Sequence, residues 1–300
     1  LSKTLISIIG PTAIGKTALS IKIAQQFDCP IISADSRQVY REMSIGTAVP
    51  SAEELKAAEH YFIQHRSIHE NYSAGDFEKE ALAKLRKLFE KYDKVVMVGG
   101  SGLYLKAVFE GLDHFPEIKP ETRENLNRAY QKNGLLSLVE ELQKADPESF
   151  EKIDLSNPQR VIRALEVLRE SGKAYSTFLN QPKDKRFFKP IKIGLTAERQ
   201  IIYDRIEKRV DLMMEEGLLE EAKKLEPNRN VQALNTVGYK ELFSYLDGEI
   251  SLETAVEEIK KNTRRFAKRQ LTWFRKDNQI KWFEQPADFE KVIEEVESQS

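Results

Sequence analysis

The stretch Thr4-Leu5-Ile6-Ser7-Ile8-Ile9-Gly10-Pro11-Thr12-Ala13-Ile14-Gly15-Lys16-Thr17 decides how the rest of the chain is read. Its first six residues have the composition of a fully buried β-strand, and the next eight have the spacing of a phosphate-binding loop. Strand, glycine loop and helix in that order are the context such a loop needs. Gly10 and Gly15 let backbone N–H groups curl around an anion, Lys16 sets a point charge on its oxygens, and Thr17 offers a hydroxyl to Mg²⁺. A helix beginning near Lys16 aims the positive end of its dipole at the same anion. The expected phosphate-binding site is therefore Gly10, Pro11, Thr12, Ala13, Ile14, Gly15, Lys16 and Thr17. The loop alone does not say which phosphate is bound.

Working outward, Pro30-Ile31-Ile32-Ser33-Ala34-Asp35 and Lys94-Val95-Val96-Met97-Val98-Gly99-Gly100 are short apolar runs ending in polar or glycine residues, with helical patterns between them. This predicts an α/β protein: a parallel sheet around the phosphate loop, covered by helices. Ligands of such sheets sit at the carboxyl ends of the strands, where Asp35 and the loop Gly99-Gly100-Ser101-Gly102 join the phosphate loop. Gly100 is accordingly added to the phosphate-binding set, which the resemblance given below makes a diphosphate site. Around Phe115 the pattern changes to long charged amphipathic stretches without strand signals, until Ile191-Lys192-Ile193-Gly194-Leu195 returns to the sheet. The expected organisation is a phosphate-loop core in 1–114 and 190–300, interrupted by an all-helical insertion in 115–189. In the insertion, Asn157 and Pro158 open a helix that ends near Gly172, placing Gln159 and Arg163 on one face.

The 300 residues are 40% hydrophobic and 32% charged, with a net charge of -1, so no global charge calls for a polyanionic partner. A single cysteine, Cys29, excludes a disulfide framework and a Cys-rich zinc site and points to a reducing compartment. With no long apolar run and no signal-peptide layout, the expectation is a cytoplasmic protein without a membrane partner. His60, His65 and His69 have no metal-binding spacing. Charge is segregated locally: Lys260 to Lys276 holds eight basic residues and no acidic one. At helical spacing Lys261, Arg264, Arg265, Lys268 and Arg275 form one stripe, with Phe266, Trp273 and Phe274 expected to anchor the other side. Contact with a phosphate backbone is the expected use of this basic C-terminal helical region. A further helix carries Ile202, Ile206, Val210, Met213 and Met214 as its apolar stripe, with Arg205 and Arg209 four apart.

Taken in order, Gly10 to Thr17, Asp35 to Arg41 with Ile45 to Ala48, Gly99 to Tyr104, Pro158 to Glu166, Val237-Gly238-Tyr239 and Arg264 to Trp273 resemble the motifs of the tRNA dimethylallyltransferase family, also called tRNA isopentenyltransferases. The resemblance spans nearly the whole chain and is to the bacterial type, since the zinc finger that eukaryotic members append has no counterpart in these residues. It implies transfer of a prenyl group from dimethylallyl diphosphate to the exocyclic amine of the adenosine 3′ to the anticodon, with the anticodon stem-loop as the bound element and Mg²⁺ as cofactor. It also implies roles. Lys16 and Thr17 become leaving-group and Mg²⁺ ligands, Asp35 the general base, and Arg209 the neutraliser of diphosphate charge. Asp35, Ser36, Arg37 and Gln38, the segment Gln159, Arg160, Val161, Ile162 and Arg163, and Gly238 match tRNA-contacting segments, to which we add Arg264, Arg265, Lys268 and Arg269. A monomer is expected. Departures from the family pattern are Ile14 for serine, Glu42 and Ser44 for glycine and aspartate, and Val49 for lysine. Rival readings share parts of this set: an ATP-dependent small-molecule kinase, which needs no basic tail; an adenylate isopentenyltransferase, which needs no long insertion; and a non-catalytic nucleotide-gated RNA-binding module, which needs the basic stripe but not Asp35.

Overall fold

The protein is seen here in a computed structural model that describes residues 3–299. Six strands form one sheet: β1 (Thr4–Ile9), β2 (Ile31–Ser33), β3 (His60–Tyr61), β4 (Lys94–Gly99), β5 (Lys189–Thr196) and β6 (Lys281–Glu284). Their order is β3-β2-β4-β1-β5-β6, and every pairing is parallel. Strand β1 lies inside the sheet, and all six of its residues are buried, which is why its sequence is apolar without alternation. The register sets Ile9 level with Gly99 of β4 and Gly194 of β5. Strands β1 and β4 thus end together while β5 runs two residues farther, to Thr196, and the loops leaving them share one edge.

The helices among the described residues are α1 (Lys16–Gln26), α2 (Ala52–Ala57), α3 (Ala74–Leu88), α4 (Gly102–Glu110), α5 (Pro120–Ala145), α6 (Pro147–Lys152), α7 (Pro158–Ser171), α8 (Arg199–Glu215), α9 (Leu218–Leu225), α10 (Tyr239–Leu246), α11 (Leu252–Phe274) and α12 (Phe289–Ser298). Two apolar clusters cover the sheet. One joins α1, α8 and α12 to β1 and β5 through residues such as Ile14, Ile23, Ile193, Ile206 and Val296; the other joins α3 and α4 to β1 and β4 through Phe77, Leu85, Val95 and Leu105. A third cluster, centred on Tyr239, gathers Val39, Met43, Val210, Leu218 and Ile259.

The chain divides into two compact units. One contains the sheet and its helices; the other is Gly111–Lys185, with boundaries four residues before those expected at each end. The second unit has its own core of Leu126, Leu138, Leu142, Val161, Ile162 and Leu165. Its helix α7 is capped as its sequence predicts: the Asn157 side chain accepts from the Gln159 N–H, Pro158 is the first helical residue, and Gly172 closes the helix in the left-handed conformation. Helix α5 is broken at Gly134, whose φ of 77° and ψ of 176° are not helical.

Candidate active site

Gly10 carries no side chain because β5 leaves it no room: a Cβ there would lie 2.6 Å from the Leu195 carbonyl oxygen. The close approach of β1 and β5 turns the loop over the strand ends. Gly15 is required for a different reason, its φ of 96° with open space around it. Residues Thr12 to Thr17 line a cavity of about 360 Å³, whereas Gly10 and Pro11 lie behind it and shape the loop. Ile14 is fully buried among the sheet-covering residues, so the side chain that replaces serine faces the core.

The cavity is cationic. Lys16 Nζ donates to the Pro11 carbonyl at 2.6 Å, and Arg205, Lys208 and Arg209 of α8 complete the wall. Part of Lys16 reaches solvent, yet its ammonium is enclosed closely enough that desolvation lowers its pKa from 10.5 to about 8; Arg209 adds to the shift and Asp35 opposes it. Burial likewise lowers the pKa of Arg209, which makes no ion pair or hydrogen bond with any described residue. Two cations held beside each other at an energetic cost, with no ion pair to a carboxylate among the described residues, are an arrangement that an anion would relieve. Arg205 is spent differently, donating to the Ile14 carbonyl at 3.3 Å.

Asp35 follows β2 and faces the same space. Its Oδ1 accepts from the N–H groups of Arg37 (2.8 Å) and Gln38 (3.3 Å), which fixes the carboxylate and leaves Oδ2 without a hydrogen bond from the described residues. The neighbouring positions are immobilised too. The Ser36 N–H donates to Ser101 Oγ, the Arg37 guanidinium to the Ala233 carbonyl, and the Gln38 amide to the Thr47 and Ala48 carbonyls. Sequence reasoning missed the group that anchors this loop, Glu221 of α9. Its carboxylate accepts from the N–H groups of Ser44, Ile45 and Gly46, each at 2.9 Å, and from the Tyr239 hydroxyl at 2.7 Å. Gly46 lies so close to the Tyr239 ring that a Cβ would sit 2.6 Å from it. The departures at Glu42 and Ser44 are absorbed locally: Glu42 accepts from Ser67 Oγ and the Ile68 N–H, and Ser44 Oγ from the Gln64 amide.

A second cavity, about 520 Å³, adjoins the first. Thr12, Asp35, Thr47 and Arg209 belong to the walls of both, and the far side of the second is made by Gly238, Thr263, Phe266 and Arg269. Gly100 lines neither. A Cβ there would lie 2.2 Å from Gln270 Nε2, which donates to the Gly100 carbonyl, while Gln270 Oε1 accepts from the Thr12 N–H at 2.9 Å. Gly100, expected among the diphosphate ligands, seats a buried glutamine on α11 that ties the phosphate loop to the neighbouring loop. The only uncharged hydrogen-bonding side chain between Ala267 and Leu271, amid bases, was a signal for it.

Helix α11 also differs from expectation in which residues it turns inward. Only Phe274 of the three aromatics is buried; Phe266 and Trp273 keep 40% and 42% of their surface in solvent, because Ala255, Ile259, Ala267 and Gln270 already fill the inner face. Of the expected basic stripe, Arg264 is held by Glu207 at 2.5 Å and Lys261 by Glu258 at 2.7 Å. Arg265, Lys268 and Arg269 are exposed and form no ion pair among the described residues.

In the insertion, Gln159 and Arg160 are exposed and Arg163 is half-buried, whereas Val161 and Ile162 are fully buried in the core. Direct RNA contact by these two is thereby excluded; they present their neighbours. Arg163 lies over the Phe115 ring, 5.1 Å from its centroid, and approaches the fully buried carboxylate of Glu166 at 3.3 Å, as does Arg123 at 3.4 Å.

A parallel α/β sheet with a phosphate loop, a carboxylate beside it and cations that form no ion pair among the described residues defines a phosphate-loop group-transfer protein. The chain belongs to the IPP transferase family, whose profile matches residues 38–277. It is 60% identical to the tRNA dimethylallyltransferase of Christiangramia forsetii over 99% of both chains, and 57% identical to that of Flavobacterium johnsoniae over 97% of this chain and 96% of the other. Among solved structures it is similar to a full-length tRNA isopentenylpyrophosphate transferase from Bacillus halodurans, with a TM-score of 0.72 and 39% identity over 99% of this chain and 95% of that one. It is also similar to a eukaryotic dimethylallyltransferase acting on tRNA, with a TM-score of 0.81 and 26% identity over 99% of this chain and 77% of that one.

Proposed function

We propose that this protein transfers the dimethylallyl group of dimethylallyl diphosphate to the exocyclic amine of the adenosine 3′ to a tRNA anticodon, releasing diphosphate. The observation that carries this reading is the shared wall of the two cavities. Asp35 and Arg209 stand between a cationic chamber floored by the phosphate loop and a second chamber rimmed by α11. The diphosphate belongs in the first and the base in the second, so the two reactants meet at Asp35.

An allylic diphosphate ionises toward a delocalised carbocation, and the enzyme's largest task is to stabilise negative charge growing on the leaving group. The loop N–H groups, Lys16 and Arg209 are placed for that task. As the carbon–oxygen bond breaks, the adenine nitrogen bonds to the allylic carbon and its proton passes to Asp35, whose Oδ2 is the carboxylate atom left open. Magnesium fits this donor set: the Thr17 hydroxyl and few protein oxygens beside an anion site suit an ion that takes most ligands from phosphate and water, and it would neutralise leaving-group charge. An adenine of the anticodon loop has to be splayed from its stack to enter the chamber. Arg265, Lys268 and Arg269, with Gln159, Arg160 and Arg163 of the insertion, supply contacts to RNA. No helix among the described residues is long and apolar enough to cross a membrane.

The test offers the purified protein labelled dimethylallyl diphosphate with tRNA, with AMP and with ATP in parallel. Label is expected in tRNA at the adenosine 3′ to the anticodon. Label in AMP alone, or phosphoryl transfer from ATP, overturns the reading.

A further inference from the structure

Phe266, Arg269 and Trp273 occupy positions i, i+3 and i+7 of α11 and so fall on one narrow stripe of the helix. Phe266 and Arg269 line the mouth of the second cavity, and Trp273 lies about 10 Å farther along the axis at 1.5 Å per residue. Both rings are substantially in water although the same helix buries Phe274, so the stripe spends two aromatics without gaining a core. The rings are nevertheless ordered by their surroundings. The Arg269 guanidinium lies 5.7 Å from the Phe266 centroid, and the Trp273 indole packs against Gly102, where a Cβ would lie 2.3 Å from Nε1. Scattered surface aromatics need no explanation; two on one stripe, bracketing an arginine at a cavity wall that forms no ion pair among the described residues, do. Next to them Arg265 and Lys268 provide charge for a phosphate backbone.

We propose that Phe266, Arg269 and Trp273 form a stacking stripe for the unpaired bases that flank the reacting adenosine, so that RNA is held by base faces as well as by phosphate charge. The inference rests on the RNA-modifying reading above. Stacking on aromatic and guanidinium planes is how proteins hold splayed single strands, and it accepts any base because every base has a π face. When one adenine leaves the stack, its neighbours lose a partner, and the stripe replaces it.

The probe is a hairpin RNA whose unpaired loop carries adenosines. Phe266→Leu and Trp273→Leu keep apolar bulk and remove the planar ring; each is expected to weaken hairpin binding about tenfold. The slope of log affinity against log salt should stay that of the parent protein, since neither substitution removes a charge. Phe266→Tyr and Trp273→Phe should restore binding, and unchanged alkyl diphosphate affinity in all four variants shows that the fold is intact. In a Trp282→Phe background Trp273 is the sole tryptophan, and its emission should be quenched as the hairpin saturates. Leucine variants that bind like the parent, or a Trp273 emission indifferent to bound RNA, overturn the stripe while leaving RNA prenylation standing. A parent protein that neither binds nor prenylates the hairpin brings down the RNA reading and the stripe together.

Discussion

Lys16 is the residue whose chemistry is most constrained by where the fold puts it. Its pKa near 8 means that the free enzyme loses this charge as pH rises through that value, while an anion against the ammonium favours the protonated form. Binding must therefore take up a proton above pH 8. The affinity for an alkyl diphosphate, whose own last proton is already lost in that range, should fall by about tenfold per pH unit until the bound-state pKa is reached. Titration calorimetry in two buffers of different ionisation heat measures the uptake directly, and Lys16→Arg should abolish the pH dependence; a flat affinity between about pH 7.5 and 9.5 refutes the assignment. Asp35→Asn preserves shape and an acceptor oxygen but cannot take the amine proton. It should slow single-turnover transfer by about a hundredfold with RNA and diphosphate affinities near those of the parent. Rescue of that rate by high Mg²⁺ would instead assign Asp35 to the metal.

At the scale of elements, α11 does two jobs on two faces. Its inner face holds the phosphate loop through Gln270, so Gln270→Leu leaves the Thr12 N–H and the Gly100 carbonyl without their partner. Unsatisfied buried groups of this kind cost about 1–3 kcal/mol each. Weaker diphosphate binding is expected with RNA affinity unchanged, and a variant that lost only RNA affinity would contradict the arrangement. The outer face carries Arg265, Lys268 and Arg269 without an ion pair among the described residues, whereas Arg264 is already committed to Glu207. Replacing the three by glutamine should weaken RNA binding and reduce the salt slope by about 0.7–0.9 for each phosphate that is no longer neutralised; Arg264→Gln alone should change the slope much less. Equal effects from all four positions would mean that the ion pair with Glu207 opens on binding.

For the molecule as a whole, the proposed anion binding is linked to folding because the phosphate loop exists only where β1 and β4 end level beside β5. Alkyl diphosphate at a hundredfold excess over its Kd should add about 2.7 kcal/mol to stability, raising the melting temperature by several degrees. Lys16→Ala should lose that shift, and the Arg265, Lys268 and Arg269 triple variant should keep it; the reverse pattern in a thermal melt would place the anion elsewhere.

Much of this protein is local in its sequence. A phosphate loop needs only eight consecutive residues, a buried strand only a short apolar run, and the α7 caps only Asn157, Pro158 and Gly172, so each could be read where it stands. The parallel sheet followed from their alternation, as did the helical character of the insertion. Long-range partners could not be read this way. Gln270 meets Thr12 and Gly100, Glu221 meets Ser44 to Gly46, and Gly10 meets Leu195 across separations that carry no periodic signal. Which aromatics of α11 stay in water, and which of its bases are already paired, depended equally on what packs against each face. Periodicity specifies that residues share a face; only the tertiary structure decides what that face meets, because hydrogen bonds, ion pairs and burial act between atoms that folding brings together.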